Sequence, residues 1–353
     1  SKTDIEFSIS GQLNSWKVNG VQMIKSGPEY SNYRWVENDG PTEGLNNYSA
    51  DNGVGQKEAV FERADDGSTV TVTVDAAGSK CPYKLVYTIY DNGTIDLKAQ
   101  FKPGVNNLRR IGLGMRFPST FEAVEYYARG PWENIVDRKT GSFFGRFTST
   151  VTDFYEPYPK PQSMGNREDL RQLILTDPQT TNGLCIETQG TVAFSLLHYD
   201  DVALKNARHI WNLTAPENND VYAHFDYCQK GLGNGSCGPG TTGEYCLPSS
   251  GTYNYTLRFT PVGQCVEGIR RPVNGPASYT IRHDGAAEAV VCSGSIAGGT
   301  DISVYNVGGV CVASARTTEP VSSVSLSTAG QPSGSYVVVV RNKDGVRSHK
   351  LVK

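Results

Sequence analysis

The sequence predicts an all-β chain, with large antiparallel sheets packed as a sandwich and a small immunoglobulin-like sandwich behind them. Three observations carry that reading. Runs alternating apolar and polar residues dominate, as in Thr69–Val74, Leu85–Tyr90, Thr94–Phe101 and Tyr253–Phe259. A period of two puts one face of a strand in a core and leaves the other to solvent or a cleft. Thirty-eight glycines in 353 residues supply the tight turns that many short strands need. With 38% hydrophobic residues, 19 Tyr and 12 Phe, the chain has the apolar area for a sizeable core.

Between two of the alternating runs lies Asp91-Asn92-Gly93. Asn-Gly tolerates the positive φ of a tight hairpin turn, so the two runs are expected to pair. Helical periodicity is hinted only from Asp201 to Ile210. Strands connected locally in this way argue for antiparallel sheets.

A boundary is expected near residue 262. The first domain spans 1–262, a Pro/Gly-rich linker 263–276 contains Arg270 to Pro276, and a second domain spans 277–353. Beyond the linker Ala, Ser and Val dominate and aromatics become rare. Short strands are predicted at Ser278–Arg282, Glu288–Cys292, Ile302–Asn306, Val310–Ala313, Val321–Leu326, Ser335–Arg341 and His349–Val352. That pattern suits a small sandwich.

Charge and motif content remove several functions. Thirty-three basic against 36 acidic residues give a net charge of −3 with no basic block, which speaks against nucleic acid as a partner. No run of 18 apolar residues occurs, so no membrane-spanning helix is expected. The chain opens Ser1-Lys2-Thr3-Asp4 without methionine, which suggests a trimmed piece of a longer protein. Eight cysteines lack the CxxC spacing of zinc or redox sites. They read as small buried hydrophobes, with disulfides left open. The five histidines have no ligand spacing, so neither a metal nor a cofactor is expected.

The densest polar and aromatic cluster runs from Ala128 to Arg171. It contains Trp132, Glu133, Asn134, Asp137, Arg138, Tyr155, Tyr158, Asn166, Arg167 and Asp169. Aromatic faces stack on pyranose rings while amides and carboxylates bond hydroxyls, so these are sugar-binding materials. The same residues equally suit an irregular segment pinned by Arg–carboxylate pairs. Glycoside hydrolysis needs two carboxylates at a fixed separation. Glu133 and Asp137 are the one tempting pair, and four residues apart outside a helix they define no such geometry. Asp96 and Asp226, in strand-like runs, read as satisfied polar residues, and His224 is the one histidine before 262 with a strand-and-cleft context. No catalytic residue is therefore assigned, and the chain alone is expected to be inactive. A second loop, Gly231 to Gly240 (GLGNGSCGPG), has a backbone free to approach a ligand or another domain closely.

At these loops the sequence resembles the carboxy-terminal region of family 2 β-galactosidases. Arg129 to Gly141 (RGPWENIVDRKTG) is similar to that family's GPxENYxDR segment. It is followed in the family's order by Tyr155–Gln162, Gly165-Asn166-Arg167 and Asp169-Leu170-Arg171. Upstream, Asn32–Asp39 (NYRWVEND) resembles the family's stretch near the start of the same domain. Downstream, Asp226 and Gly231–Ser236 resemble its glycine-rich loop. The resemblance implies a galactose-mutarotase-like supersandwich that packs on a separate TIM barrel carrying the catalytic glutamates. It also implies substrate contact through Asn234, Gly235, Ser236, Cys237, Gly238, Trp132 and Glu133. Arg34, Asp39, Asp137, Arg138, Arg167, Asp169, Arg171 and Asp226 would act as scaffold. Cys237 or Gly238 stands where the family has a substrate-lining tryptophan, Ser163-Met164 replaces the Glu-Asn of its Pro-Gln-Glu-Asn-Gly stretch, and Ile135 replaces an aromatic.

The last 75 or so residues are similar to the sorting domains of bacterial type IX secretion, through Ile302–Gly309, Gly334–Val340 and Lys350–Lys353. That likeness implies export to the periplasm or cell surface. Expected partners are galactosides or other glycans, the catalytic barrel of the same protein, and further copies of the chain in a homo-oligomer. The alternative reading is a free-standing carbohydrate-binding module or mutarotase-like protein using the concave face of the sheet.

Overall fold

The computed structural model describes residues 2–39, 57–77, 81–104, 108–214, 219–235, 237–248, 250–262, 279–306, 310–342 and 345–353. Ser236 and the expected linker 263–276 lie outside the described residues. The chain divides into two compact units, Ser1–Cys265 and Val266–Lys353.

The first unit begins with β1 (Thr3–Phe7), β2 (Leu13–Val18) and β3 (Val21–Ile24), which form a three-stranded sheet. There follow β4 (Ser26–Ser31), β5 (Lys57–Arg63), β6 (Thr69–Ala76), β7 (Tyr83–Tyr90), β8 (Ile95–Phe101), β9 (Arg110–Phe117) and β10 (Ala123–Gly130). Then come β11 (Phe143–Thr150), β12 (Arg167–Thr176), β13 (Gly183–Leu197), α1 (Asp201–Asn206), β14 (Val221–Gln229) and β15 (Tyr253–Pro261). From β4 onward the strands form one 12-stranded antiparallel sheet with the main order β11-β10-β12-β13-β15-β8-β7-β6-β5.

Alternation sets the register. Val72 and Val74 of β6, Leu85 and Tyr87 of β7, and Leu97 and Ala99 of β8 are all buried. They line up as Val74 opposite Leu85, Leu85 opposite Ala99 and Tyr87 opposite Leu97. A slip of one residue would turn every one of these side chains outward, so the core itself selects the pairing. The turn between β7 and β8 is the predicted one. Gly93 takes φ +86°, and the Asn92 side chain accepts the Thr94 N–H at 2.9 Å.

The feature that shapes the site is β13, 15 residues long. Its first half pairs with β15, from Leu184 opposite Pro261 to Gln189 opposite Thr256. Past Gly190, at φ +88°, its second half pairs instead with β14, from Ala193 opposite Asp226 to Leu197 opposite Tyr222. β14 continues to β9, and β9 to β4. The sheet thus branches at β13. The short helix α1, at the predicted place, is capped by Asp200, whose side chain accepts the Ala203 N–H.

In the second unit, β16 (Tyr279–Asp284), β17 (Ala289–Ile296) and β20 (Val321–Ser327) form one sheet. β18 (Asp301–Asn306), β19 (Cys311–Arg316), β21 (Ser335–Asn342) and β22 (Gly345–Val352) form the other. Val290, Cys292 and Leu326 from the first sheet meet Ile302, Val304, Val338 and Val340 from the second in one core. Each predicted strand of this unit is present with its ends moved by a few residues.

Candidate functional site

The segment from Arg129 to Arg171 is held by amides. The Asn134 N–H donates to the Asn166 carbonyl at 2.9 Å, and Asn166 Nδ2 donates back to the Asn134 carbonyl at 2.8 Å. Asn134 Oδ1 accepts the Glu168 N–H, while its Nδ2 donates to the carbonyls of Arg129 and Trp132. Asn166 Oδ1 accepts from Gln229 Nε2 at 2.7 Å, which joins the segment to β14. Asp169 sits at φ +62° and receives Arg129 at 2.8 Å and Lys139 at 3.0 Å. The Arg167 guanidinium lies 4.5 Å from the centre of the Phe154 ring. Arg171, on the surface, donates to the Gly190 carbonyl.

Two further segments converge on the glycine-rich loop between β14 and β15. Arg34, 2% exposed, pairs with Asp39 at 3.0 Å and donates to the carbonyls of Lys230 and Gly231. Arg109 and Lys230 also reach Asp39, at 3.4 and 3.7 Å. Two residues further into the loop, the Gly233 carbonyl accepts from Arg138 Nη2 at 2.7 Å and from Asn38 Nδ2 at 3.1 Å. The Gly233 N–H donates to Asp137 Oδ2 at 2.8 Å. A side chain at Gly231 would place its Cβ 2.7 Å from the Asp137 carboxyl, and Gly233 takes φ +58°, so both positions require glycine. Residues 95 to 197 positions away therefore fix the base of the loop, while Asn234, Gly235, Cys237 and Gly238 remain exposed.

Beside the clamp, the branch of the sheet opens a cavity of about 280 Å³. Ser195 and Leu197 of β13 and Tyr222 and His224 of β14 form its floor, because they lie opposite one another on one face. Arg110 of β9, Glu133, Tyr158 and the α1 residue Asp201 form its walls. Two glycines of β9, Gly112 and Gly114, lie against β14. A Cβ at Gly112 would stand 2.1 Å from Asp226 Oδ1, and one at Gly114 3.7 Å from the His224 ring. A second cavity, of about 220 Å³, shares Asp201, Tyr222 and His224 with the first.

The electrostatics of the cavity are uneven. His224 Nε2 pairs with Asp201 at 3.1 Å, and its buried Nδ1 has no hydrogen-bond partner among the described residues. Glu133 accepts the Tyr158 hydroxyl on one oxygen and the Gly165 N–H on the other. Burial pushes the Glu133 carboxyl above its ordinary range and outweighs these two bonds. Arg110 is 2% exposed, and neither Nε nor Nη1 has a hydrogen-bond partner among the described residues. The carboxylate nearest to it, Asp226 at 3.7 Å, is fully buried. Burial raises the Asp226 carboxyl against the pull of Arg110. Asp226 Oδ2 takes Gln229 Nε2 at 2.8 Å, but Oδ1 has no hydrogen-bond partner among the described residues. The expectation that both strand aspartates are satisfied thus holds for Asp96, bonded by Arg258 and Tyr90, and fails for half of Asp226.

Of the residues expected to touch sugar, Glu133 alone lines the cavity. Trp132 is on the surface, 63% exposed. Ser236 lies outside the described residues. The scaffold set is dispersed: Arg34, Asp39, Asp137 and Arg138 hold the loop, and Arg167, Asp169 and Arg171 brace β12. Sequence reasoning did not single out Arg110, Asp201 or Ser195 as site residues. Asp201 signals only a helix start, and the other two sit in apolar strands. Among the described residues no group of three or more His, Cys, Asp or Glu side chains is placed to hold a metal ion. Of the seven described cysteines, Cys81, Cys185 and Cys292 are buried, while Cys237, Cys246 and Cys311 are exposed. The reading of the cysteines as buried hydrophobes thus fails for the exposed three.

The 12-stranded antiparallel sheet defines the first unit as an all-β module. The family described as beta galactosidase small chain matches residues 1–259, and the chain belongs to that family. It is 28% identical over 260 residues to a β-galactosidase of Streptococcus thermophilus, covering 71% of this chain and 25% of that protein. A β-galactosidase of Staphylococcus xylosus is 28% identical over 184 residues, covering 50% of this chain and 18% of the relative. The chain thus spans about a fifth of the length of these relatives. Among solved structures, galactose 1-epimerase of Lactobacillus acidophilus aligns with a TM-score of 0.41 and 10% identity, covering 72% of this chain and 89% of that one. A putative aldose 1-epimerase of Escherichia coli K12 aligns with a TM-score of 0.37 and 11% identity, covering 74% and 99%. These likenesses concern the fold alone.

Proposed function

We propose that this chain is the non-catalytic carboxy-terminal part of an exported family 2 β-galactosidase, in which it braces the catalytic barrel and presents the Gly231–Gly240 loop to its substrate site. The observation that carries this reading is the convergence on Gly233. Two segments far apart in sequence, Asn32–Asp39 and Arg129–Arg138, spend their polar side chains on fixing the base of one exposed loop. A loop held that firmly at its base and left open at its tip suits delivery to another body, since pre-ordering the backbone removes entropy that binding otherwise costs. The cavity carboxylates support the non-catalytic part. Glu133 is bonded on both oxygens and Asp201 is paired with His224, so neither is free to serve as a glycosidase nucleophile. The fold of the second unit is compatible with the sorting-domain likeness that suggests export.

The test uses a longer protein containing this chain, assayed with a nitrophenyl β-galactoside. Arg138→Ala together with Asp137→Ala unpins Gly233 and is expected to raise KM severalfold with a smaller change in kcat. Unchanged KM with a folded protein would show that the loop does not serve the substrate site.

A further inference from the structure

We propose that the β11 edge of the 12-stranded sheet is a dimerisation surface, on which a second copy of this chain pairs its own β11 antiparallel about a two-fold axis at Gly145. The inference is independent of the β-galactosidase reading, because it rests on strand edges of the first unit alone.

The main path of the sheet ends in two edge strands. Among the described residues β11 pairs with β10 alone and β5 with β6 alone. Each offers a row of unpaired backbone N–H and C=O groups, which natural proteins guard with charge. β5 is guarded, since Glu58, Glu62 and Arg63 are exposed along it. β11 is not. Its eight residues (FFGRFTST) hold one charge, Arg146, and Phe143 and Phe144 are 58% and 41% exposed. The Phe144 ring lies 4.5 Å from that of Tyr127, and the Arg146 guanidinium stands over the same tyrosine. A long apolar edge of this kind is a template for another strand.

Register selects which strand. Backbone bonding groups alternate between the two sides of a strand, so every second residue of β11 bonds β10 and the others face outward. Two copies of one strand pair antiparallel only where outward residues meet outward residues, so the axis must fall at one residue and its copy. For β5 the axis of longest overlap, at Val60, sets Glu58 opposite Glu62 of the second copy, twice, and like charges directly opposite are destabilising. For β11 an axis at Arg146 opposes the two arginines. One residue earlier, at Gly145, repulsion becomes attraction. Phe144 then faces Arg146 of the second copy and Phe143 faces its Phe147, each pair occurring twice. These are cation–π and aromatic cross-strand pairs. Gly145 opposite its own copy leaves the crossing point clear of side chains. An axis at Phe147 also avoids like charges, but it leaves the exposed Phe144 opposite Thr150. The edge is thus complementary to itself at Gly145, and a closed two-fold pair consumes it.

Sedimentation velocity of the intact chain under reducing conditions, from about 1 to about 200 μM, tests the surface. A contact between two short strands is small, so a dimer with a Kd on the order of 10 μM is expected. Phe144→Lys sets a lysine opposite Arg146 of the second copy and is expected to weaken the dimer about tenfold or more. Adding Arg146→Glu to that variant restores opposite charges across both pairs and is expected to return the Kd to within about threefold of the unaltered chain. Val60→Lys, on the other edge, is expected to leave dimerisation unchanged. Amide exchange in β11 of the unaltered chain, slower at the high concentration than at the low one, reads the same contact if Phe144→Lys unfolds. A chain that stays monomeric at about 200 μM would overturn the proposal, as would a dimer that a folded Phe144→Lys leaves intact, one that the added Arg146→Glu does not recover, or one that Val60→Lys dissolves.

Discussion

Asn134 and Asn166 hold each other by a reciprocal pair of hydrogen bonds, 2.9 Å from the Asn134 N–H and 2.8 Å from the Asn166 amide. Asn166 further engages Glu168 and Gln229, so one buried side chain joins the Arg129–Arg138 segment, β12 and β14. Removing it leaves several buried groups unpaired, each costing about 1–3 kcal/mol. Asn166→Ala is expected to lower stability by about 3 kcal/mol, read as a lower midpoint in urea unfolding at an unchanged slope. A loss below about 0.5 kcal/mol would mean that the amide is not a structural joint.

The pairing of β9 with β14 depends on a missing side chain at Gly112. A Cβ at Gly112 would meet Asp226 Oδ1 at 2.1 Å and the Asp226 Cα at 2.6 Å, and backbone cannot yield as a flexible side chain does. Gly112→Ala is expected to destabilise the first unit by about 3 kcal/mol. Gly243→Ala, with nothing within 4 Å, should change stability by no more than about 0.5 kcal/mol. Thermal unfolding of the two variants side by side checks the contrast.

The loop clamp has its own signature. Arg138 is exposed, so its bond to the Gly233 carbonyl contributes little to global stability, on the order of 1 kcal/mol or less. Its effect is local. Arg138→Ala is expected to speed amide exchange at Gly233 and Asn234 while exchange in β14 and β15 stays as it was. Equal exchange across the loop would place the clamp elsewhere.

Much of this fold can be read from the sequence, and the reason is local physics. The Asp91–Gly93 hairpin, the helix at Asp201 and the strands of the second unit each carry their own periodicity or turn residue. The branch at β13 carries none. A 15-residue strand that changes partners at Gly190 looks like two ordinary strands, because partner exchange is decided by what packs from β14 and β15. The cavity was hidden for the same reason. Arg110, Ser195 and His224 are brought together by sheet pairing across more than a hundred residues, and no short motif reports such a meeting. The glycine-rich loop was visible as a motif, whereas its clamp through Asn38 and Arg138 became visible only in three dimensions.

Three buried acids give the protein a distinctive pH response. Burial raises Glu133, Glu168 and Asp226 in the folded state, against Lys139 for Glu168 and Arg110 for Asp226. A raised folded value means that the folded form holds the proton more tightly than the unfolded one. The associated stability is full below the ordinary carboxyl range and is lost as pH rises through the folded values. Asp96 and Asp169 are held low by their arginine and lysine partners, and their opposing effect begins only near and below their ordinary value of 3.8. Thermal stability is therefore expected to increase as pH falls from about 7 to about 5, and Glu133→Gln should flatten part of that slope. A stability that falls throughout this interval would contradict the assignment.

Hydrolysis of a nitrophenyl β-galactoside by the purified 353-residue chain, beside a longer protein that contains it, tests the central claim most directly. The account predicts no turnover above the uncatalysed background for the chain alone and turnover for the longer protein. Robust hydrolysis by the chain alone, abolished by substitution of a carboxylate within residues 1–262, would contradict it.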